Sequence, residues 1–234
     1  SLSAIGQEKS KQAVLMTILP RKGCLKKPGL SRLKKTWRNQ QRAVKNHLLR
    51  VTGWCEEKEH LMARGIKTER LRIIENDPAH IDHVMMLMSF WEVAKNTGTW
   101  IFPPDRNQVI ERMQKLQSDK GFAGCIFAGN EFIGTAGLKE ATLCYLLRPD
   151  HWAKGYASEA AKALIAYGFQ RYGWDVIYAG VWDDNPASRS VLAKCGMKQL
   201  GTARYWSRAR SAPVTSCEHV LTRREWLLNN PIMI

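Results

Sequence analysis

Between residues 142 and 182 the sequence changes period twice, and this limits the folds open to the chain more than any other feature. Thr142 to Leu147 is a short β-rich run closed by Pro149, a residue that cannot donate to a strand ladder. From about Ala157 to Tyr172, Ala157, Ala160, Ala161, Leu164, Ile165, Gly168, Phe169 and Tyr172 recur at i, i+3, i+4 and i+7. That spacing marks a helix with one buried face, and Gly173 suits its C-terminal cap. Val176 to Trp182 is again an apolar strand. A strand, a long helix and a second strand imply a crossover with a parallel step. The fold class is therefore α/β with a mixed sheet.

The flanks extend the pattern. Leu71 to Ile74 reads as a first strand, and Asp77-Pro78 opens a helix running on to about Val93. A loop with Trp91, Trp100 and Phe102 precedes a second helix over Arg106 to Ser118. Phe122 to Ala128 and Phe132 to Leu138 form a hairpin about Gly129-Asn130, a strong turn pair. Asn185-Pro186 opens a helix that ends at Gly196, Asn185 serving as N-cap and proline as first helical residue. Gln199 to Trp206 and Ser216 to Arg223 are the last strands, either side of a loop with Arg208, Arg210 and Pro213.

The net charge of +15 is unevenly placed. Residues 1–61 carry 14 Lys/Arg against 4 Asp/Glu, a net of +10. This divides the chain into a basic extension, 1–61, and a folded domain, 62–234. Leu30, Leu33, Trp37, Val44, Leu48 and Val51 sit at helical spacing among basic residues. The extension reads as an arm for ribosome, nucleic acid or anionic membrane, as a docked helix, or as a dispensable segment ahead of a true start at Met62. No apolar run approaches the ~20 residues of a membrane span, and no secretory signal opens the chain. The six scattered cysteines fit reduced thiols of a cytoplasmic protein. His80 and His83 share a helix face but find no third ligand, so no metal is expected.

Chemistry concentrates in Trp152-Ala153-Lys154-Gly155-Tyr156-Ala157, between a strand and a long helix. Free N–H groups and the helix dipole make such a loop an anion cradle. Gly155 permits close approach, Ala157 is small, and Lys154 adds charge. An ordinary strand-to-helix connection is the alternative, and neither a Walker loop nor a dinucleotide fingerprint is present.

The run Tyr145 to Ala160 resembles the acetyl-CoA-binding motif of the GNAT superfamily of N-acyltransferases, whose Arg/Gln-x-x-Gly-x-Gly/Ala pattern aligns with Trp152 to Ala157. Tryptophan at the first position is similar to the branch that acetylates N-terminal amines of ribosomal proteins, which reads W-G-K-G-Y-A-T-E-A. Asn185-Pro-Ala-Ser188, followed by Lys194-Cys-Gly196, matches that family's second block, and Thr68 to Arg72 its first strand. The resemblance covers about residues 66–226.

It implies a GNAT-like fold, with a six- to seven-stranded mixed sheet, helices on both faces and a parallel pair splayed around acetyl-CoA. Leu146, Leu147 and Arg148 would pair with the pantetheine arm, residues 152–157 would hold the pyrophosphate, and Asn185 and Ser188 would lie near the thioester. The implied function is transfer of acetyl from acetyl-CoA, without a metal, to a primary amine on a protein N-terminus or small molecule, by direct attack in a ternary complex. A base is required to free the amine. Glu140 is preferred, ahead of Glu159, Asp183 and Asp184. Leu192 stands where many members place a tyrosine acid, so Ser188 would assist. The acceptor site would form from the 91–104 and 204–213 loops, where Arg204, Arg208 and Arg210 attract an acidic acceptor. A homodimer is left open. Rival readings are a non-catalytic acyl-CoA-binding module and a nucleic-acid-binding protein acting through the basic extension.

Overall fold

The computed structural model describes residues 65–116 and 121–230. The basic extension and its expected helix lie outside the described residues.

Eight strands form one sheet: β1 (Gly65–Lys67), β2 (Leu71–Glu75), β3 (Gly121–Ala128), β4 (Glu131–Lys139), β5 (Thr142–Leu147), β6 (Val176–Trp182), β7 (Lys198–Ser207) and β8 (Ala212–Thr222). Their order is β1-β2-β3-β4-β5-β6-β8-β7. The helices are α1 (Ile81–Met88), α2 (Trp91–Ala94), α3 (Arg106–Leu116), α4 (Tyr156–Arg171), α5 (Pro186–Lys194) and α6 (Arg223–Asn229). The mixed α/β expectation holds, with eight strands in place of six or seven. The extra strand is β1, a three-residue edge, and the β7–β8 hairpin is longer than expected.

Two helix boundaries differ from expectation. The single helix from Asp77 to Val93 is a short 3-10 turn, α1 and α2. Ser89 Oγ donates to Met85 O at 2.8 Å, and Phe90 adopts an extended ψ of 115°, so the chain turns before α2. α6 was not foreseen. Thr222 caps it, with Glu225 bonding back in a capping box.

The sheet separates two clusters. On one face Leu143, Leu147, Ile177, Ala179, Val181, Cys217 and Leu221 meet Ala160, Leu164, Ile165 and Phe169 of α4 and Leu192 of α5. On the other, α1, α2 and α3 place Val84, Leu87, Met88, Val93, Val109 and Met113 against Cys125 and Phe132. Burying each large apolar side chain stabilises by about 1.5–3 kcal/mol.

β5 and β6 are the sole parallel neighbours among the described strands, and they share one register pair, Thr142 with Tyr178. Beyond it the strands part. This single junction positions the site.

Candidate active site

Hydrogen-bond parity decides which backbone groups of β5 face the opening. Tyr178 N–H donates to Ala141 O at 2.8 Å, and Arg148 N–H donates to Ile133 O at 2.8 Å. Bonding partners alternate along a strand. Residues 144, 146 and 148 therefore bond to β4, while 143, 145 and 147 face β6. Past Thr142, where β6 has turned away, Tyr145 and Leu147 present an unpaired strand edge. Of the three residues expected to pair with an extended ligand, only Leu147 lies on that edge; the Leu146 and Arg148 backbones face β4. Tyr145 was missed, because parity follows from register, which sequence does not supply. The edge is not wholly free, since Leu147 O accepts Trp152 Nε1–H at 2.8 Å.

The edge leads to the loop before α4. Gly155 caps that helix with φ 82°, a left-handed geometry natural to glycine. Ala153 also has positive φ, 58°. The N–H groups of residues 153–158 have no protein acceptor among the described residues, as the start of a helix requires. Six outward donors beside a helix N-terminus favour an anion.

One clamp fixes this loop. Arg70 donates from Nη1 to Lys154 O at 3.0 Å and from Nε to Glu159 Oε2 at 2.7 Å. Its guanidinium also stacks 4.7 Å from the Tyr156 ring centre. Thr68 Oγ1 and Arg70 N–H both donate to Glu159 Oε1, at 2.5 and 2.9 Å. Burial opposes charge on Glu159, but the bonds from Thr68 and Arg70 prevail and hold its carboxyl below the usual range. Glu159 is therefore a tether and a poor base.

Beneath the loop, Arg148 bridges Asp150 and Glu131, at 2.5 and 3.1 Å. The His151 nitrogens lie 3.1 Å from Asp150 and 3.4 Å from Glu131. Glu131, Asp150 and His151 have metal-ligand spacing, but the Arg148 guanidinium already occupies both oxygens of Asp150 and one of Glu131. His80 and His83 pack with Phe127 and Phe132.

At the start of α5, Asn185 Oδ1 accepts the Ser188 N–H at 3.1 Å. Tyr145 Oη donates to Ser188 O at 3.2 Å, so the unforeseen tyrosine braces the turn that carries Ser188. Burial, against the opposing effect of that bond, pushes the Tyr145 phenol up to about 12. Leu192 is 1% exposed, inside the core. Glu140 lies elsewhere: exposed, with φ 48°, in the turn from β4 to β5.

The two loops expected to receive an acceptor do meet. Ser207 Oγ donates to Thr97 O, Arg208 N–H to Gly98 O and Arg210 Nε to Lys95 O, at 3.0, 3.0 and 2.7 Å. The three arginines do not act together. Arg210 is held by Asp184, whose carboxyl falls below its ordinary range chiefly through that hydrogen bond. Arg204 lies on the α4 side of β7, because it pairs with Thr215 while Ser216 faces the other way. Trp91 and Phe102 form an exposed pair at 5.1 Å, and Trp100 stacks under Arg112 at 4.5 Å.

Residues 70–198 match the profile of the acetyltransferase (GNAT) domain. The chain belongs to the GNAT family. This GNAT chain is 34% identical over 90 residues to the uncharacterized N-acetyltransferase YoaA of Bacillus subtilis (strain 168), covering 36% of the chain and 51% of YoaA; it thus spans about half of that relative. Its fold matches RimL, a ribosomal L7/L12 α-N-protein acetyltransferase solved with coenzyme A, at TM-score 0.58 and 15% identity, over 66% of this GNAT chain and 95% of RimL. It also matches spermidine N-acetyltransferase from Vibrio cholerae, solved with CoA and spermine, at TM-score 0.59 and 14% identity, over 68% and 99%. No helix among the described residues is long and apolar enough to cross a membrane.

Proposed function

We propose that the chain is an acetyl-CoA-dependent N-acetyltransferase acting on a primary amine, by direct attack in a ternary complex. The observation that carries this reading is the strand edge at Tyr145 and Leu147, where β6 has parted and only the Leu147 carbonyl is taken, by Trp152, running into six unclaimed N–H groups at residues 153–158. Such an edge fits the amide-bearing pantetheine arm as an added strand, and the N–H cluster fits its pyrophosphate. Bound acetyl-CoA supplies an activated acyl thioester. The Tyr145 and Leu147 backbones hold its arm, Gly155 and its neighbours hold its phosphates, and Lys154 adds charge. Asn185 and Ser188 sit at the start of α5, where Ser188 Oγ would protonate the departing sulfur. Glu140, exposed at the closed end of the parallel pair, would draw a proton through water.

The α-amine of a peptide is favoured as acceptor over a lysine side chain, because with pKa ~8 against ~10.4 more of it is neutral. RimL and the Vibrio enzyme, named for a protein and a polyamine, support both a protein N-terminus and a small amine. The domain proper is residues 62–234, a cytoplasmic unit, with 1–61 a separate basic extension for ribosome or nucleic acid. A second reading, a non-catalytic acyl-CoA module, is favoured by Leu192, whose side chain is given to the core.

Titration calorimetry with acetyl-CoA, on the full chain and on residues 62–234, tests the cradle; thiol release with peptide and polyamine acceptors then tests turnover. Saturable binding with thiol release supports the enzyme. Binding without release supports the module, and no binding by a folded chain removes both.

A further inference from the structure

On the face of the sheet away from α4, one carboxylate is unused by the site described above. Cys217 and Leu221 pack toward α4, so strand alternation turns Ser216, Glu218 and Val220 the other way. Glu218 is opposite Gly180 of β6, two residues past Tyr178, where β6 parts from β5. A Cβ built on Gly180 would stand 3.2 Å from both Glu218 carboxylate oxygens and 3.0 Å from Ser216 Oγ. The carboxylate therefore lies over the bare Gly180 backbone, beside the splay. Among the described residues no hydrogen bond or ion pair holds Glu218; the Tyr205 phenol lies near enough to feel its charge, which, after burial, raises that phenol's pKa. The 95–105 loop, tied down by Ser207, Arg208 and Arg210, covers the same face, and Gly98 rests 3.6 Å from the Trp182 ring by the same measure. Trp182 is 7% exposed, and its indole N–H finds no acceptor. A buried donor without a partner costs about 1–3 kcal/mol, which a ligand oxygen would offset. An unpaired anion and an unpaired donor thus share the face.

We propose that Glu218, in place of Glu140, receives the acceptor as its ammonium ion and takes its first proton. This rests on the acetyltransferase reading and assigns the acceptor class: an alkyl primary amine, charged on arrival. Glu218 accepts one proton from the ammonium group. The freed lone pair forms the C–N bond to the acetyl carbon while the C–S bond breaks and leaves its electrons on sulfur. Of the two protons nitrogen loses, one ends on sulfur and one passes from Glu218 to solvent. A methyl group at Gly180 would oblige the carboxylate and Ser216 Oγ to give by a few tenths of an ångström.

The test uses the full chain saturated with coenzyme A. Its affinity for an alanyl tetrapeptide with a free α-amine is compared with that for the same peptide N-formylated. Wild type should prefer the charged peptide by about tenfold or more, an ion-pair-sized difference. E218Q should lose that preference, with affinity for acetyl-CoA unchanged, and E218D should recover part of it. G180A, which crowds the carboxylate without removing it, should show an intermediate loss. With acetyl-CoA and the free peptide, E218Q should lower kcat/KM by about a hundredfold. No preference in wild type, or an undiminished one in E218Q, overturns the proposal, as does a loss in E140Q with none in E218Q. A chain that binds acetyl-CoA but releases no thiol defeats the acetyltransferase reading, while the amine preference still decides Glu218's role in binding.

Discussion

At the scale of single residues, the geometry around Gly155 gives the sharpest expectation. A β-branched side chain at φ 82° costs about 1–2 kcal/mol in backbone strain and meets Arg70 Nη2 at 3.3 Å. Gly155→Val should weaken acetyl-CoA binding by about tenfold or more, read by calorimetry, while the far-ultraviolet spectrum stays native. Arg70→Ala removes the tether without touching the N–H cradle, so a smaller loss of about two- to fivefold is expected. Gly155 was legible in the sequence because glycine advertises its conformation. Arg70 was not: its partners Lys154 and Glu159 lie over eighty residues away, and such a pairing is visible only once β2 lies beside α4. Glu218 was hidden for a similar reason. Its importance comes from Gly180 opposite, and cross-strand register is not written in either strand alone.

At the scale of elements, period and punctuation located nearly every strand and helix, from Pro149 closing β5 to Asn185-Pro186 opening α5. They failed where a side chain redirected the backbone, as Ser89 does between α1 and α2, and where a seven-residue helix was too short to show a period. That helix, α6, depends on its cap. Thr222→Ala should cost about 1 kcal/mol, measured by urea unfolding. Hydrogen bonds from Lys198 and Thr222 push the Glu225 carboxyl down to about 2. A carboxyl depressed in the folded state adds stability above its unfolded value, near 4.5, and loses it as pH falls toward 2. Glu225→Gln should therefore flatten the acid limb of the stability curve between about pH 4.5 and pH 2 and leave its neutral limb nearly parallel to wild type.

At the scale of the whole molecule, the charge step at residue 61 leads us to expect two parts with separable properties. Removing residues 1–61 should leave acetyl-CoA affinity within about twofold while abolishing any RNA binding with a steep salt slope. If truncation instead removes acetyl-CoA binding from a folded domain, the extension is part of the site. The mixed sheet was readable from the 142–182 stretch alone, but the extent of the splay was not, because that depends on where one strand leaves its neighbour.

The single register pair between β5 and β6 has a mechanical meaning. Five strands lie on one side of it and three on the other, joined in the sheet by little more than Ala141 and Tyr178. The sheet resembles a zip fastened at one tooth, and the seam is held besides by α4 lying over both halves and by the hydrogen bonds from Ser207, Arg208 and Arg210 to residues 95–98. A ligand strand along Tyr145 and Leu147 would extend the fastening. Amide exchange should therefore slow on both sides of the seam when acetyl-CoA binds, at β6 as well as at β5.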